Sequence, residues 1–412
     1  MYRYNLFDNY KITQTQHGYK NKSFHTGKID FDTKSLNYIY DCGLNRNELR
    51  IYFSEHNEKI DLIYVSHYDL DHLSGIINLF NMSEFSSLLS STKVILPYFN
   101  DQVIFFPILF RQENELNDGF SENESISDRE FLEFIFSDRI IWVNDNDYYY
   151  LNEGNVFDLN SGFIQNSRSN IILPRYNNVP LNWMFLSYVA RDFYVLRELT
   201  ECLRNIAHFD ELVDVYRKEK SPQNALALIE RIRPELRNHN VASIMGSDRK
   251  LGNLISLALY SGPILTGHNL YMLQTREERL FRNLCTYFEN FNTYFFEYSP
   301  FSDKCAWLHT GDANLKEESL YEDFINFFRS FIDNVGMLTV PHHGSASSFN
   351  QKLLNYTNCY FIITENYRAR KDAMLEDNTS DKILLVNDEQ GFELETISNN
   401  IDFRSRLKRI GV

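Results

Sequence analysis

The chain has 412 residues, 43% of them hydrophobic and 24% charged, and 33 Phe and 26 Tyr supply bulky core material, so global disorder is excluded. That length exceeds the roughly 100–200 residues of one typical core, which calls for one elaborated domain or two. With 41 Lys and Arg against 56 Asp and Glu, the formal net charge of −15 repels polyanions at long range; it excludes a dedicated duplex-coating protein but not a nuclease, whose positive field is local.

The apolar runs fall well short of the ~20 residues that span a bilayer, and Met1-Tyr-Arg-Tyr-Asn leads into polar sequence without a secretory signal pattern. No membrane association and a cytoplasmic address are therefore expected. Cys42, Cys202, Cys285, Cys305 and Cys359 are scattered with no C-x-x-C pair, which reads as reduced, buried thiols rather than a disulfide framework or a thiolate zinc site.

In chain order, residues 36–41 and 61–66 read as short buried strands, each ending in a polar loop that contains glycine. A short helix follows over 73–82, then a strand at 93–96 closed by Pro97. Residues 112–128 hold six acidic side chains with no apolar period and read as a solvated loop or lid. Strand-like pieces at 140–143, 155–159 and 183–188 continue the sheet. From about residue 190 the spacing of Phe193, Leu196, Leu199, Leu203, Ile206, Leu212, Val213 and Tyr216 predicts an amphipathic helix. A second starts at Ser221-Pro222 and carries Leu226, Ile229, Ile232 and Leu236, giving a helical hairpin of about 50 residues. After a strand at 254–260, Leu273, Leu280, Leu284, Phe288 and Phe291 mark another helix. A strand at 306–309, a helix with Leu320, Phe324, Phe327, Phe328 and Phe331, and strands at 337–340, 360–364 and 383–386 complete the sheet. No internal repeat is present.

Three loops carry the chemistry. Ser66-His67-Tyr68-Asp69-Leu70-Asp71-His72-Leu73-Ser74-Gly75 follows an apolar strand and offers four ligands within six positions. Alternate residues of such a turn can converge from opposite sides, His67 and Asp69 on one metal, Asp71 and His72 on another. Leu308-His309-Thr310-Gly311-Asp312 puts a carboxylate at a strand end, where its two oxygens suit a bridge between cations. Thr339-Val340-Pro341-His342-His343-Gly344-Ser345 puts two histidines past another strand end, with Ser345 available to a phosphate oxygen. Three carboxylates with up to four histidines are harder donors than an all-histidine set, which shifts preference from Zn²⁺ toward Mn²⁺, with Mg²⁺ as a further candidate.

Residues 66–75 resemble the His-x-His-x-Asp-His loop of the metallo-β-lactamase superfamily, with Asp69 replacing the middle histidine, a variant similar to the ComEC-like branch. The later segments agree in order: a strand rich in Asn and Ser at 253–257, Leu308–Asp312, Val340–Ser345 and the Asp388–Gly391 turn. The resemblance implies an α/β fold, a four-layer αβ/βα metallo-β-lactamase sandwich with helical insertions. Its hydrolase domain would comprise residues 1–188 and 245–412, interrupted by the acidic lid and by helical insertions at 189–244 and 267–302.

The same resemblance implies that Asp41 orients the metal loop, that His67 and Asp69 bind a first cation and that Asp71 and His72 bind a second. Asp312 would bridge them, His343 would complete the second site and His342 would contact the leaving group. Two divalent ions, Mn²⁺ or Zn²⁺ foremost, are the expected cofactors, with Asp71, Asp312 and His342 as the catalytic groups. The chain lacks an isolated histidine after the 183–188 strand, where the superfamily has one, so the first site is expected to be open. Arg368, Arg370 and Lys371 could hold a phosphodiester or form an exposed basic loop. Arg404, Arg406, Lys408 and Arg409 read as a solvated basic tail, and His17, His25, His56, His208, His239 and His268 as structural or surface residues.

The function expected from the resemblance is metal-dependent phosphodiester hydrolysis, a DNase acting on a single strand or an end. Hydrolysis of a small phosphoester or cyclic nucleotide is the alternative. A third reading is a regulatory module with a vestigial metal site, gated by a partner protein at the helical insertion.

Overall fold

The computed structural model describes residues 10–19, 22–31, 34–98, 126–143, 155–158, 163–164, 171–176, 179–206, 208–238, 255–263, 304–356, 359–364, 383–386, 390–398 and 403–411. The first half contains β1 (Tyr10–Gln16), β2 (Phe24–Phe31), β3 (Lys34–Cys42), α1 (Arg46–Glu55), β4 (Leu62–Tyr64), α2 (Leu70–Asn81), β5 (Lys93–Pro97), α3 (Asp128–Ile135) and β6 (Ile140–Val143). Then come β7 (Asn155–Asp158), β8 (Phe163–Ile164), β9 (Ile171–Tyr176), β10 (Val179–Arg191), α4 (Phe193–Arg204), α5 (Phe209–Lys218) and α6 (Pro222–Asn238). The last part has β11 (Ile255–Pro263), β12 (Ala306–His309), α7 (Glu318–Phe328), β13 (Val335–Thr339), α8 (Lys352–Tyr356), β14 (Tyr360–Thr364), β15 (Ile383–Val386), β16 (Gln390–Ser398) and β17 (Phe403–Gly411).

The chain is mixed α/β, with two mixed sheets. One runs β17-β16-β1-β2-β3-β4-β5-β6, antiparallel from β17 to β3 and parallel from β3 to β6. The other runs β15-β14-β13-β12-β11-β10-β9-β7-β8, parallel from β15 to β12. Alternation along β10 explains why the second sheet is buried on both faces. Trp183, Phe185 and Val189 join the core shared with the first sheet, whereas Met184, Leu186, Tyr188 and Ala190 join the core beneath α7. Tyr188 packs on Phe324, Phe327 and Phe328 of that helix. The Tyr38 and Phe185 rings meet edge-on across the two sheets, 4.9 Å apart.

Local signals start the helices. Asn45 accepts from the amides of Asn47 and Glu48 while the Glu48 carboxylate accepts from the Asn45 amide, a reciprocal cap for α1. Ser127 and Glu130 form the same box at α3.

Several elements differ from the sequence expectation. The helical hairpin is three helices, because His208, at φ 62° between α4 and α5, turns the chain where continuous periodicity predicts one helix. β1 and β2 form where no strand is predicted, since polar residues such as Lys11, Thr13 and Lys28 interrupt their apolar pattern. The basic segment 404–409 is not a tail: it lies in β17, which pairs with β16 along its length. The parts of the expected acidic lid before residue 126, the whole 267–302 insertion, and Arg368, Arg370 and Lys371 lie outside the described residues. No helix among the described residues is long and apolar enough to cross a membrane.

Candidate metal centre

The site residues lie at or just past the C-terminal ends of β3, β4, β12 and β13, strands of both sheets that point into one crevice, where open α/β sheets commonly bind ligands. Direct bonds fix the two sheets around it. The Leu257 amide donates to the Ser66 carbonyl at 2.7 Å, and the Tyr40 hydroxyl donates to the Leu257 carbonyl at 2.7 Å. The Asp312 amide donates to Ser256 Oγ at 2.9 Å. Gly43 is needed for close approach, because a Cβ there would lie 2.0 Å from the Asp71 carbonyl oxygen.

Asp69 is the N-cap of α2, yet its carboxylate makes no capping bond. The amides of His72 and Leu73 are instead met by its backbone carbonyl, which leaves the side chain for the site. Its Oδ2 lies 3.7 Å from His67 Nε2. Asp312 stands at the centre: Oδ2 is 3.6 Å from His67 Nε2 and 3.9 Å from His342 Nε2, while Oδ1 is 3.6 Å from His72 Nε2. Asp71 Oδ2 is 3.7 Å from His72 Nε2 and 3.5 Å from His343 Nε2.

These separations are too long for hydrogen bonds. They suit two ligands of one cation, since donors each ~2.1 Å from a metal at the tetrahedral angle lie roughly 3.4 Å apart. The buried Nε2 atoms of His67, His72 and His343 have no hydrogen-bond partner. Two donor groups result, His67–His72–Asp312 and Asp71–His72–His343, each with its ligand atoms within 4.8 Å of one another. Buried His and Asp side chains thus form groups that could hold a metal ion. Their carboxylate oxygens and imidazole nitrogens fit a divalent cation of intermediate hardness.

The opposite ring nitrogen of each histidine is anchored. His72 Nδ1 lies 2.7 Å from Asp41 Oδ2, and His67 Nδ1 lies 2.8 Å from Ser66 Oγ. Thr364 Oγ1 bonds His343 Nδ1, and Ser348 Oγ lies 3.2 Å from His342 Nδ1. An anchored Nδ1–H turns the Nε2 lone pair toward a metal. Asp41 (φ 57°), His342 (φ 50°) and His343 (φ 54°) all adopt the left-handed region, which for non-glycine residues costs on the order of 1–3 kcal/mol each and clusters at functional sites.

The charges are strongly coupled. Burial pulls the pKa of His72 down, but Asp41, Asp71 and Asp312 outweigh it and push it up to about 10. His67 is likewise raised: burial and the neighbouring His72 oppose protonation, and Asp312 and Asp69 prevail. Burial alone would raise Asp312, yet the surrounding His67, His342, His72 and His343 hold its carboxyl well below the usual range. The carboxylates therefore draw positive charge into the crevice, as protons or as a cation.

The structure brings Asp41, His67, Asp69, Asp71, His72, Asp312, His342 and His343 together. Ser345 lies in the same turn as His342 and His343, half-buried, with its hydroxyl 2.8 Å from Ser347 Oγ. The sequence reading gave no role to Ser66, Ser256, Ser348 or Thr364. Ser66 carries a usable signal, its place directly before His67; Ser348 is six residues past His342 in the same loop, and Thr364 comes from β14 and carries no local signal.

Behind the crevice lies a buried aromatic stack. His309 stacks on Tyr40 at 4.3 Å and meets His25 edge-on at 4.1 Å. Neither nitrogen of His25 has a partner, and burial lowers the pKa of both histidines well below the ordinary value, His309 further opposing protonation of His25. No family model and no curated protein matches the chain.

Proposed function

We propose that the chain is a metal-dependent phosphodiesterase of the metallo-β-lactamase type, with two divalent cations, Mn²⁺ or Zn²⁺ foremost, and DNA as its substrate. The observation that carries the reading is the division of Asp312, one oxygen turned to His67 and the other to His72. The four-layer sandwich is part of the same proposal; it is supported by α7 packed on the second sheet, α2 packed on the first, and a core shared between the two sheets.

In this reading His67, Asp69 and Asp312 would hold one cation, and Asp71, His72 and His343, with Asp312 shared, would hold the other. When bound, such a pair supplies a hydroxide at neutral pH and neutralises charge developing on a phosphoryl group. Asp41 and Ser66 keep His67 and His72 in the tautomer that offers Nε2. Asp69 and Asp71, whose side chains are 18% and 23% exposed, border the open side where a substrate enters. The net charge of −15 favours a single strand, a strand end or a small phosphodiester over a long duplex.

The test is cleavage of labelled single-stranded and duplex DNA, a cyclic nucleotide and a chromogenic phosphodiester. Metal-stripped protein is restored with Mn²⁺, Mg²⁺ or Zn²⁺ and compared with Asp312→Ala. Metal-dependent cleavage of one of these, lost in the variant, is expected; no turnover of any phosphodiester with both sites loaded would overturn the reading.

A further inference from the structure

We infer that His342 is a ligand of the first cation position, beside His67. This rests on the two-cation reading above and replaces the expectation that His342 contacts the leaving group.

Three observations carry it. First, His342 is on the His67 side of the bridge. Its Nε2 faces Asp312 Oδ2, the oxygen that His67 faces, whereas His72 faces Oδ1 and His343 faces Asp71. Added to His67, Asp69 and Asp312, it gives the first position a fourth protein donor. The second position has the donor group Asp71, His72 and His343, with Asp312 Oδ1 3.6 Å from His72 Nε2.

Second, His342 has the anchoring of the other three histidines. Each of the four has Nδ1 against an oxygen and Nε2 toward a carboxylate, and Ser348, which holds His342, is itself 2% exposed. Metal-binding histidines have this arrangement because the second nitrogen fixes ring orientation and tautomer.

Third, the backbone separates the pair. Adjacent residues in an ordinary extended segment would place one ring on each face. At φ 50°, ψ 50° and φ 54°, ψ 22°, His342 and His343 instead follow a tight left-handed turn that sets their ring centroids 6.4 Å apart, each ring facing a different carboxylate. The turn is stapled to the loop bearing Asp312, because the His342 amide donates to the Gly311 carbonyl at 3.1 Å; the Ser345 amide closes it on the His342 carbonyl at 2.9 Å. Two consecutive left-handed non-glycine residues persist only where their surroundings fix them.

The experiment counts cations in the full chain. Metal-stripped wild type, His342→Ala, Ser348→Ala and His72→Ala are titrated with Mn²⁺ or Co²⁺ by calorimetry. Bound metal is measured after gel filtration, and the Co²⁺ absorption spectrum reports coordination. Wild type is expected to hold two ions. His342→Ala should keep one at native affinity while the other weakens at least about 100-fold, and millimolar imidazole should restore it; Ser348→Ala should weaken the same ion about 10–100-fold, as loss of such a support does. His72→Ala should affect the other position.

Two ions at wild-type affinity in a folded His342→Ala protein would overturn the inference, and reduced turnover in that protein would return His342 to the leaving group. If His342→Ala does not fold, an unchanged affinity and Co²⁺ spectrum in Ser348→Ala overturns it equally. Two ions in wild type with the expected loss in the variants, but no phosphodiester cleaved, would defeat the proposed function and leave the ligand assignment standing.

Discussion

Ser66 is joined to Asp41 twice, its amide donating to Oδ1 at 2.6 Å and its hydroxyl to Oδ2 at 2.7 Å. The same hydroxyl oxygen lies 2.8 Å from His67 Nδ1 and 3.2 Å from His72 Nδ1, so one small side chain orients histidines on both sides of Asp312. Ser66→Ala leaves buried polar groups short of a partner. We expect a loss of about 1–3 kcal/mol in denaturant unfolding and a roughly 10–100-fold weaker affinity at both cation positions. Calorimetric titration of the folded variant checks this; unchanged affinity would mean that Asp41 alone sets the rings.

Gly43 offers a steric test of the same loop. A methyl group there meets the Asp71 backbone carbonyl at 2.0 Å, and backbone cannot step aside as a flexible side chain can. Gly43→Ala is expected to cost roughly 2–4 kcal/mol by overpacking. It should weaken the Asp71 cation more than the one near His67. Equal melting temperatures of variant and wild type would refute this.

Acid should destabilise the protein earlier than carboxylate titration alone requires. His25 and His309 are buried neutral, with pKa values well below the ordinary value near 6.5, so below that pH the unfolded chain binds protons that the folded one refuses. Each then removes up to about 1.4 kcal/mol of stability per pH unit as the pH falls. Urea unfolding between pH 7.5 and 4.5 measures the slope, and His25→Phe should flatten it by one histidine's share.

The crevice behaves in the opposite sense. In the metal-free protein the raised pKa of His72 contributes stability that is fully present below about 6.5 and lost as the pH rises through about 10. At pH 7 His72 is therefore protonated, and a cation must displace that proton. Metal affinity should rise with pH across that window. Titrations in buffers of different ionisation enthalpy should detect proton release on binding, and heats independent of the buffer would contradict it.

The ligand loops were legible because strand, loop and ligand spacing are local properties: 140–143, 306–309, 360–364 and 383–386 are strands at the expected residues. The support of the site was not legible. Thr364 reaches His343 only after β14 joins the sheet, Ser348 reaches His342 only through the turn of its own loop, and serine and threonine carry no motif of their own. Gln14 and Gln16 are buried in β1, outside any element the sequence predicts; Gln14 is accounted for by the Tyr38 hydroxyl that donates to it across β2. β17 is not legible in the sequence, because its basic residues look like a solvated tail until their partner strand is known.

The pairing of β1 with β16, from Tyr10 against Ser398 to Gln16 against Phe392, has a kinetic consequence. On a ribosome adding about 5–20 residues per second, the partner of the first strand is not made until roughly 20–80 s later. Until then the β1–β2 ribbon presents an unsatisfied edge to every other nascent chain nearby. Closure of that sheet spans almost the whole polypeptide, a topology that folds slowly. Yield in a cell should therefore depend on the rate of translation and on chaperone supply as much as on the stability of the finished molecule.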